Sequence, residues 1–322
     1  MRILFVHNSL RTFVRFDRDI LASEHEVDEM DLSVPGRIVS LPWRLARADL
    51  VFIWFASLHS FFPALLGRAA GKPVISVVGA YDAANIPEIN FGHMGHPWKK
   101  HVVRSICGAS TVLICNSEYA RETVARNIRP RAPIRVIPHG VQFPPRGRPE
   151  REPLILTVGQ IRRVNLARKG LEVFARAAAL VPEARFLIVG QIMDGSADYL
   201  RSIGPSNLEI RDEVPEAELD DLYARASVYV QASVHESFGL TVVESMAAGD
   251  VPVVSRRGSL PEISGPNAIF VDETDPKSVA GGIQRGLQAT GEARQAIATY
   301  ARERFPLENR RQSLLDLVAE FR

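Results

Sequence analysis

Two glutamates, Glu236 and Glu244, stand eight positions apart in the segment SVHESFGLTVVESMAAG, residues 233–249. A short aliphatic run at 228–231 precedes it, so Glu236 falls on the loop after a strand and Gly239 marks where a helix begins. Glycine at that point lets an anion come close, and the first N–H groups of the helix point at it. Within the helix, residues 240–248, Leu240, Val242, Val243, Met246, Ala247 and Ala248 are apolar or small and Glu244 is the exception. A helix so apolar is buried on most sides, and a carboxylate on it needs hydrogen-bond donors or a large pKa shift. Sugar or ribose hydroxyls are suitable donors. The structural alternative pairs Glu244 with a buried arginine and leaves Glu236 solvated near a helix start.

A second candidate for anion chemistry is the stretch GQIRRVNLARKG, residues 159–170, directly after the run 154–158. Read as a loop at the carboxyl end of a strand, it carries Arg162, Arg163, Arg168 and Lys169. Positive charge there could hold a diphosphate and stabilise it as it leaves. The plainer alternative is a solvated basic loop. No Gly-x-Gly-x-x-Gly follows a strand and no Walker A sequence occurs, which removes the usual support for nicotinamide or nucleoside triphosphate chemistry.

The elements that must position these residues form two series. Aliphatic runs at 3–6, 50–55, 74–78, 112–115 and 134–137 predict strands, with helices over 14–23, 99–106 and 118–127. The stretch PPRGRPEREP, residues 144–153, has four prolines and five charges and reads as a linker. Beyond it, strands at 154–158, 185–189, 228–231, 251–254 and 269–271 alternate with helices at 171–180, 217–226 and 240–248. The expectation is an α/β chain of two Rossmann-like, doubly wound parallel-sheet domains, with ligands bound in the cleft at the carboxyl ends of the strands. The domains expected are 1–148, 149–305 and a C-terminal helix, 306–322, whose apolar residues pack on a neighbour.

The chain of 322 residues carries 39 Lys+Arg, 37 Asp+Glu and two cysteines, Cys107 and Cys115. Two cysteines make neither a disulfide framework nor a four-ligand zinc site, which fits a reducing compartment. The small net charge of +2 hides an asymmetry: residues 1–150 hold 19 Lys+Arg against 13 Asp+Glu, and residues 151–322 hold 20 against 24. The basic residues lack a nucleic-acid motif or clustered stacking aromatics, so nucleic-acid binding is the least supported class. The N-terminus is a poor signal peptide and a good first strand. Residues 50–67 have no charged side chain over 18 positions, just reaching transmembrane length, but His59, Pro63 and the following strand favour strand then helix over 57–70.

Residues 236–244 resemble the Glu-x7-Glu motif of glycosyltransferase family four, retaining enzymes of the two-domain GT-B fold. Ser233, Phe238-Gly239, Met246-Ala247, Gly249, Pro252-Val253-Val254, Pro261-Glu262, Lys169-Gly170 and the VIPHGV of 136–141 stand where that family has similar residues. The resemblance implies that Glu236 faces donor sugar hydroxyls and Glu244 the nucleotide ribose. It further implies that N–H groups at Gly239, Leu240 and Thr241 hold the diphosphate with Lys169, that the base lies near Val214, and that the C-terminal helix crosses back onto the first domain. It implies no essential metal and no cofactor beyond the nucleoside diphosphate sugar. Where the family has an arginine after the glycine at 159, this chain has Gln160, and Arg163 is expected to take over. Where the family has His-Gly-x-Asp, this chain has Gly79-Ala80-Tyr81-Asp82: the histidine is gone, and its contact falls to the Gly79 backbone, Tyr81 or another residue.

These features predict transfer of a hexose-type sugar, with retention, to a hydroxyl of a glycan, lipid-linked sugar or small molecule. Placement and leaving-group stabilisation matter more than a protein nucleophile. The acceptor side is assigned to the first domain, with Asn8, Arg11, Arg15, Asp82 and Asn116. An epimerase or phosphorylase on the same fold, or an inactive nucleotide-sugar-binding protein, are the alternatives. The basic first domain could attract an anionic acceptor or a membrane surface, with Arg11, Arg15, Arg18, Phe13 and Phe16 as interfacial candidates, placing the protein in the cytoplasm, peripheral to the membrane's inner face. Donor, acceptor and oligomeric state are left open.

Overall fold

The computed structural model describes residues 1–143 and 150–322. The chain divides into two units: Met1–Gly140 with Leu307–Arg322, and Val141–Pro306. The expected linker lies largely outside the described residues, at 144–149. By Arg151 the chain is anchored in the second unit, where the guanidinium bonds to Asp250 at 2.7 Å and to the carbonyls of Ala226 and Ala248.

The first unit is built on β1 (Arg2–His7), β2 (Glu26–Asp31), β3 (Leu50–Trp54), β4 (Val74–Val77), β5 (Val112–Cys115) and β6 (Ile134–Val136). They pair in the order β2-β1-β3-β4-β5-β6, all parallel, with Ile3 opposite Leu50 and Val6 opposite Ile53. Strands β3, β4 and β5 are buried at every position, as continuous aliphatic runs covered on both faces must be. β2, with sequence EVDEMD, is a strand the aliphatic pattern does not predict. It lies at the sheet edge, where Asp28 pairs with Arg44 and Glu29 bonds Arg18 at 3.0 Å, so charge neutralisation replaces apolar burial.

Helices Leu41–Arg47, Phe61–Ala69, Lys99–Ala109 and Glu118–Asn127 cover one face of this sheet through Leu41, Leu45, Ala64, Val103, Ile106 and Val124. Helices Thr12–Ala22 and Leu307–Ala319 cover the other through Val14, Ile20, Leu21, Leu314, Leu317 and Val318. The uncharged run 50–67 resolves into β3, a 3-10 turn at Leu58–Ser60 and the helix Phe61–Ala69, with Phe55 at φ 69° ending the strand. Among the described residues no helix is long and apolar enough to cross a membrane.

The second unit holds β7 (Leu154–Val158), β8 (Arg185–Val189), β9 (Leu208–Arg211), β10 (Val228–Gln231), β11 (Val251–Ser255) and β12 (Ile269–Val271). Their order is β12-β11-β10-β7-β8-β9, again parallel. The chain runs outward from β7 in one direction and from β10 in the other, so these neighbours form the topological switch point where open α/β sheets bind ligands. β9, sequence LEIR, is the second strand not predicted, and it too is a half-exposed edge.

Candidate functional site

The loops following β7 and β10 meet at this switch point. After β7 the sequence reading expects a basic loop from 159 to 170, but residues Arg163–Arg168 form a short helix. Its start is fixed by Asp194, which accepts the Arg163 N–H at 2.9 Å, and by Asn165, whose Nδ2 donates to the Gln160 carbonyl at 2.7 Å. Asn165 Oδ1 in turn accepts from Arg168 Nε at 2.9 Å, so a polar residue inside the basic run organises it. The backbone then joins the two loops, Val234 N–H donating to the Arg168 carbonyl at 3.0 Å.

This arrangement sets Lys169 Nζ 2.9 Å from Glu236 Oε2. Burial pushes the Glu236 carboxyl up, but the charges of Lys169 and Arg168 and the Lys169 hydrogen bond outweigh it and bring it to about 2. Glu236 is thus a buried, ionised carboxylate, not a solvated loop residue. Its main chain is held as firmly: Ser259 N–H donates to the Glu236 carbonyl at 2.9 Å, and the neighbouring Gly258 lies so close that a Cβ there would stand 2.2 Å from that oxygen. Of the three arginines in the stretch, Arg168 acts on Glu236, while Arg163 is exposed at the start of the short helix.

Glu244 lies on the helix Leu240–Ala248, which packs against the helices Glu216–Arg225 and Gly291–Arg304. Its partner is Tyr223, whose hydroxyl donates to Glu244 Oε2 at 3.1 Å. Burial raises the Glu244 carboxyl to about 7, against the lowering effect of the Tyr223 bond, and Glu216 adds repulsion. A small cavity of about 50 Å³ opens beside it, lined by Val141, Gln142, Phe143, Tyr223, Glu244 and Arg302. Sequence reasoning missed Tyr223; its place seven residues after the start of a helix with acidic outer positions gave no sign of it.

At the start of the Glu244 helix the intrahelical ladder begins with Val242 and Val243, both donating to the Gly239 carbonyl, so the N–H groups of Leu240 and Thr241 precede it. Thr241 Oγ1 lies 2.7 Å from the Tyr229 hydroxyl, which lies 3.1 Å from Gln231 Oε1; Gln231 Nε2 donates to Ser233 Oγ at 2.6 Å. This buried chain of polar groups, unseen in the sequence reading, ties the helix start to β10. Val214 is half buried against the core of the unit, just before the helix Glu216–Arg225.

In the first unit, Asn8, Asp82 and Asn116 follow β1, β4 and β5 at the same edge of the parallel sheet. Asn8 and Arg11 are exposed. Asp82 is buried and accepts from Ala56 N–H at 2.9 Å, Gly79 N–H at 2.8 Å and Ser57 Oγ at 2.7 Å, clamping the loops after β3 and β4. The Gly79 N–H, one expected substitute for the missing histidine, is therefore occupied by Asp82. Tyr81, the other, lies edge-on to His93 with centroids 4.5 Å apart, and His93 Nε2 is 3.3 Å from Ser57 Oγ. Asn116 is buried, its Nδ2 3.1 Å from His139 Nε2. The interfacial candidates are dispersed: Arg18 bonds Asp19 and Glu29, and Phe13 packs on Trp54, leaving Arg11 and Arg15 exposed. Among the described residues no group of three or more His, Cys, Asp or Glu could hold a metal ion.

Two six-stranded parallel α/β units in one chain, with charged residues gathered at a switch point, define the GT-B class of fold. Solved structures share it throughout: sucrose-phosphate synthase from Thermosynechococcus elongatus at a TM-score of 0.76 and 18% identity, covering 99% of this chain and 98% of that one. HepE of Anabaena, solved with UDP and glucose, matches at 0.75 and 16%, covering 99% and 100%. The family model described as glycosyl transferases group 1 matches residues 141–304, and that described as Glycosyltransferase Family 4 matches residues 24–143. The chain belongs to the glycosyl transferases group 1 family. A curated relative, the D-inositol 3-phosphate glycosyltransferase of Thermobifida fusca (strain YX), is 33% identical over 153 residues, 43% of this chain and 35% of the relative. The chain thus spans about a third of that relative's length.

Proposed function

We propose that the protein is a retaining glycosyltransferase that moves a hexose-type sugar from a nucleoside diphosphate sugar to an acceptor hydroxyl. The observation that carries this reading is the Glu236 carboxylate, kept ionised by Lys169 and Arg168 where β7 and β10 diverge. Family membership supports it, as does the shared fold of HepE, which was solved with UDP and glucose.

In this reading Glu236 accepts hydrogen bonds from donor sugar hydroxyls and Glu244 from the ribose. Lys169 and Arg168 face the diphosphate with the N–H groups of Gly239, Leu240 and Thr241, and the base lies near Val214. As the bond from the anomeric carbon to the diphosphate breaks, its electron pair passes to the phosphate oxygen, where fixed cations and N–H groups stabilise the charge. The acceptor oxygen bonds to the anomeric carbon on the same face and its proton leaves to the departing phosphate. No metal is needed where Lys169 and Arg168 supply that charge. Asn8, Arg11 and the loops clamped by Asp82 form the acceptor side. The acceptor is a glycan, lipid-linked sugar or small molecule, met in the cytoplasm or at the inner face of a membrane.

The test is transfer from UDP-, GDP- and ADP-sugars, with the anomeric configuration of the product read by NMR. Glu236→Ala should lower transfer by about 100-fold or more while the chain stays folded and still gains thermal stability from the matching nucleoside diphosphate. Full transfer by that variant overturns the site, and an inverted product overturns retention.

A further inference from the structure

The outer surface of one helix layer of the first unit carries apolar side chains that the core does not use. The helices Leu41–Arg47, Phe61–Ala69 and Lys99–Ala109 pack side by side on the same sheet face, and Leu41, Leu45, Ala64, Val103 and Ile106 fill the core beneath them. Pointing outward, Val39 is 81% exposed, Leu58 62%, Trp43 58%, Phe62 57% and Trp98 49%. Scattered exposed apolar residues are ordinary, but two tryptophans and a phenylalanine on one helix layer exceed that.

The charge on the segments that carry them is mostly positive. No Asp or Glu occurs between Asp31 and Asp49, between Asp49 and Asp82 or between Glu88 and Glu118, and Asp82 itself is buried. Arg37, Arg47, Arg68, Lys99 and Lys100 stand on these segments, and among the described residues none of them is in an ion pair. Arg47 lies over the Trp43 ring at 4.5 Å from its centroid and Lys99 over that of Trp98 at 5.9 Å. Amphipathic rings backed by cations are the chemistry of the boundary between anionic headgroups and acyl chains.

We propose that this layer is a docking surface for an anionic bilayer, with Trp43, Phe62 and Trp98 entering the headgroup region and Arg37, Arg47, Arg68 and Lys99 meeting lipid phosphates. It lies on the sheet face opposite the helix Thr12–Ala22, where the sequence reading sought the membrane contact. The inference is independent of the donor-site reading.

The full chain is mixed with vesicles of phosphatidylcholine alone or with phosphatidylglycerol added, and binding is read by flotation and by quenching of tryptophan fluorescence with brominated lipid. Trp54 is buried, so quenching reports Trp43 and Trp98. The expected result is binding to the phosphatidylglycerol vesicles, weakened by salt, with quenching, and a loss of about tenfold or more in the double variant Trp43→Ser/Phe62→Ser. Circular dichroism should show that variant folded, since both side chains are exposed. Absence of flotation and quenching overturns the proposal, as does equal binding to vesicles without phosphatidylglycerol. Binding lost in Arg11→Ala/Arg15→Ala but kept in Trp43→Ser/Phe62→Ser moves the contact to the other face and overturns it. Self-association of the chain through Trp43 and Phe62 without vesicle binding assigns the surface to a second copy and also overturns it.

Discussion

Lys169 and Glu236, 67 positions apart in the chain, form an ion pair of 2.9 Å at the junction of β7 and β10. The two ends are not equivalent. Removing the cation by Lys169→Met leaves a desolvated carboxylate with Arg168 and His235 near it, whereas Glu236→Gln keeps an amide oxygen that can still accept a hydrogen bond from the Lys169 ammonium. Lys169→Met should therefore cost about 1–3 kcal/mol and Glu236→Gln less, as measured by urea unfolding. Equal losses would refute this asymmetry. Because Glu236 is held at about 2 from its ordinary 4.5, its stabilisation is present above pH 4.5 and lost as pH falls toward 2. That acid-side loss should be absent in Glu236→Gln.

Glu244 behaves in the opposite sense. Its carboxyl is raised from 4.5 to about 7, so the ligand-free protein gains stability from it below pH 4.5 and loses that gain as pH rises to about 7. Thermal midpoints of wild type and Glu244→Gln should diverge across that window, with wild type the steeper. If ribose hydroxyls donate to this carboxylate, nucleoside diphosphate affinity should rise from about pH 6 to about pH 8 more steeply in wild type than in Glu244→Gln, where only the ligand's terminal phosphate, with a pKa of about 6, still titrates. Calorimetric titration across that range reads the difference, and a wild-type profile no steeper than that of Glu244→Gln would count against ribose binding there.

Gly258 has φ +63°, and its missing Cβ would meet the Glu236 carbonyl oxygen at 2.2 Å and nitrogen at 2.8 Å. Gly36 has φ +83° and nothing within 4 Å. Alanine at Gly36 should cost about 1 kcal/mol of backbone strain, while alanine at Gly258 should cost more and also displace Glu236, reducing transfer. Undiminished activity in Gly258→Ala would show that Glu236 tolerates the shift.

Arg310 joins the C-terminal helix to the first unit through a two-point contact with Asp17, at 2.6 and 2.7 Å, and through the carbonyls of Ile137 and Pro138. Both side chains are buried. Arg310→Met should destabilise by about 3–5 kcal/mol by leaving Asp17 unpaired, and adding Asp17→Leu should restore part of it. Full restoration would mean that the two carbonyls need no donor, contrary to expectation.

The sequence by itself determined the alternation of buried strands and helices, because an aliphatic run covered on both faces leaves a local pattern. It placed the helix Leu240–Ala248 at its observed bounds and singled out Glu236, Glu244 and Lys169. It did not show β2 or β9, whose edge positions let polar residues serve, nor the helix Pro276–Leu287. That helix carries Gly281, Gly282 and Gly286, poor helix formers, yet Gly282 and Gly286 are where side chains would collide with Val271, Val253 and Val228 of the sheet. Only the tertiary structure decided which cation meets Glu236, that Glu244 answers to Tyr223, and that Asp82 is spent on its own loops. Such pairings depend on strand order and on side chains far apart in the chain, where distance and burial, not residue type, set the strength of a charge.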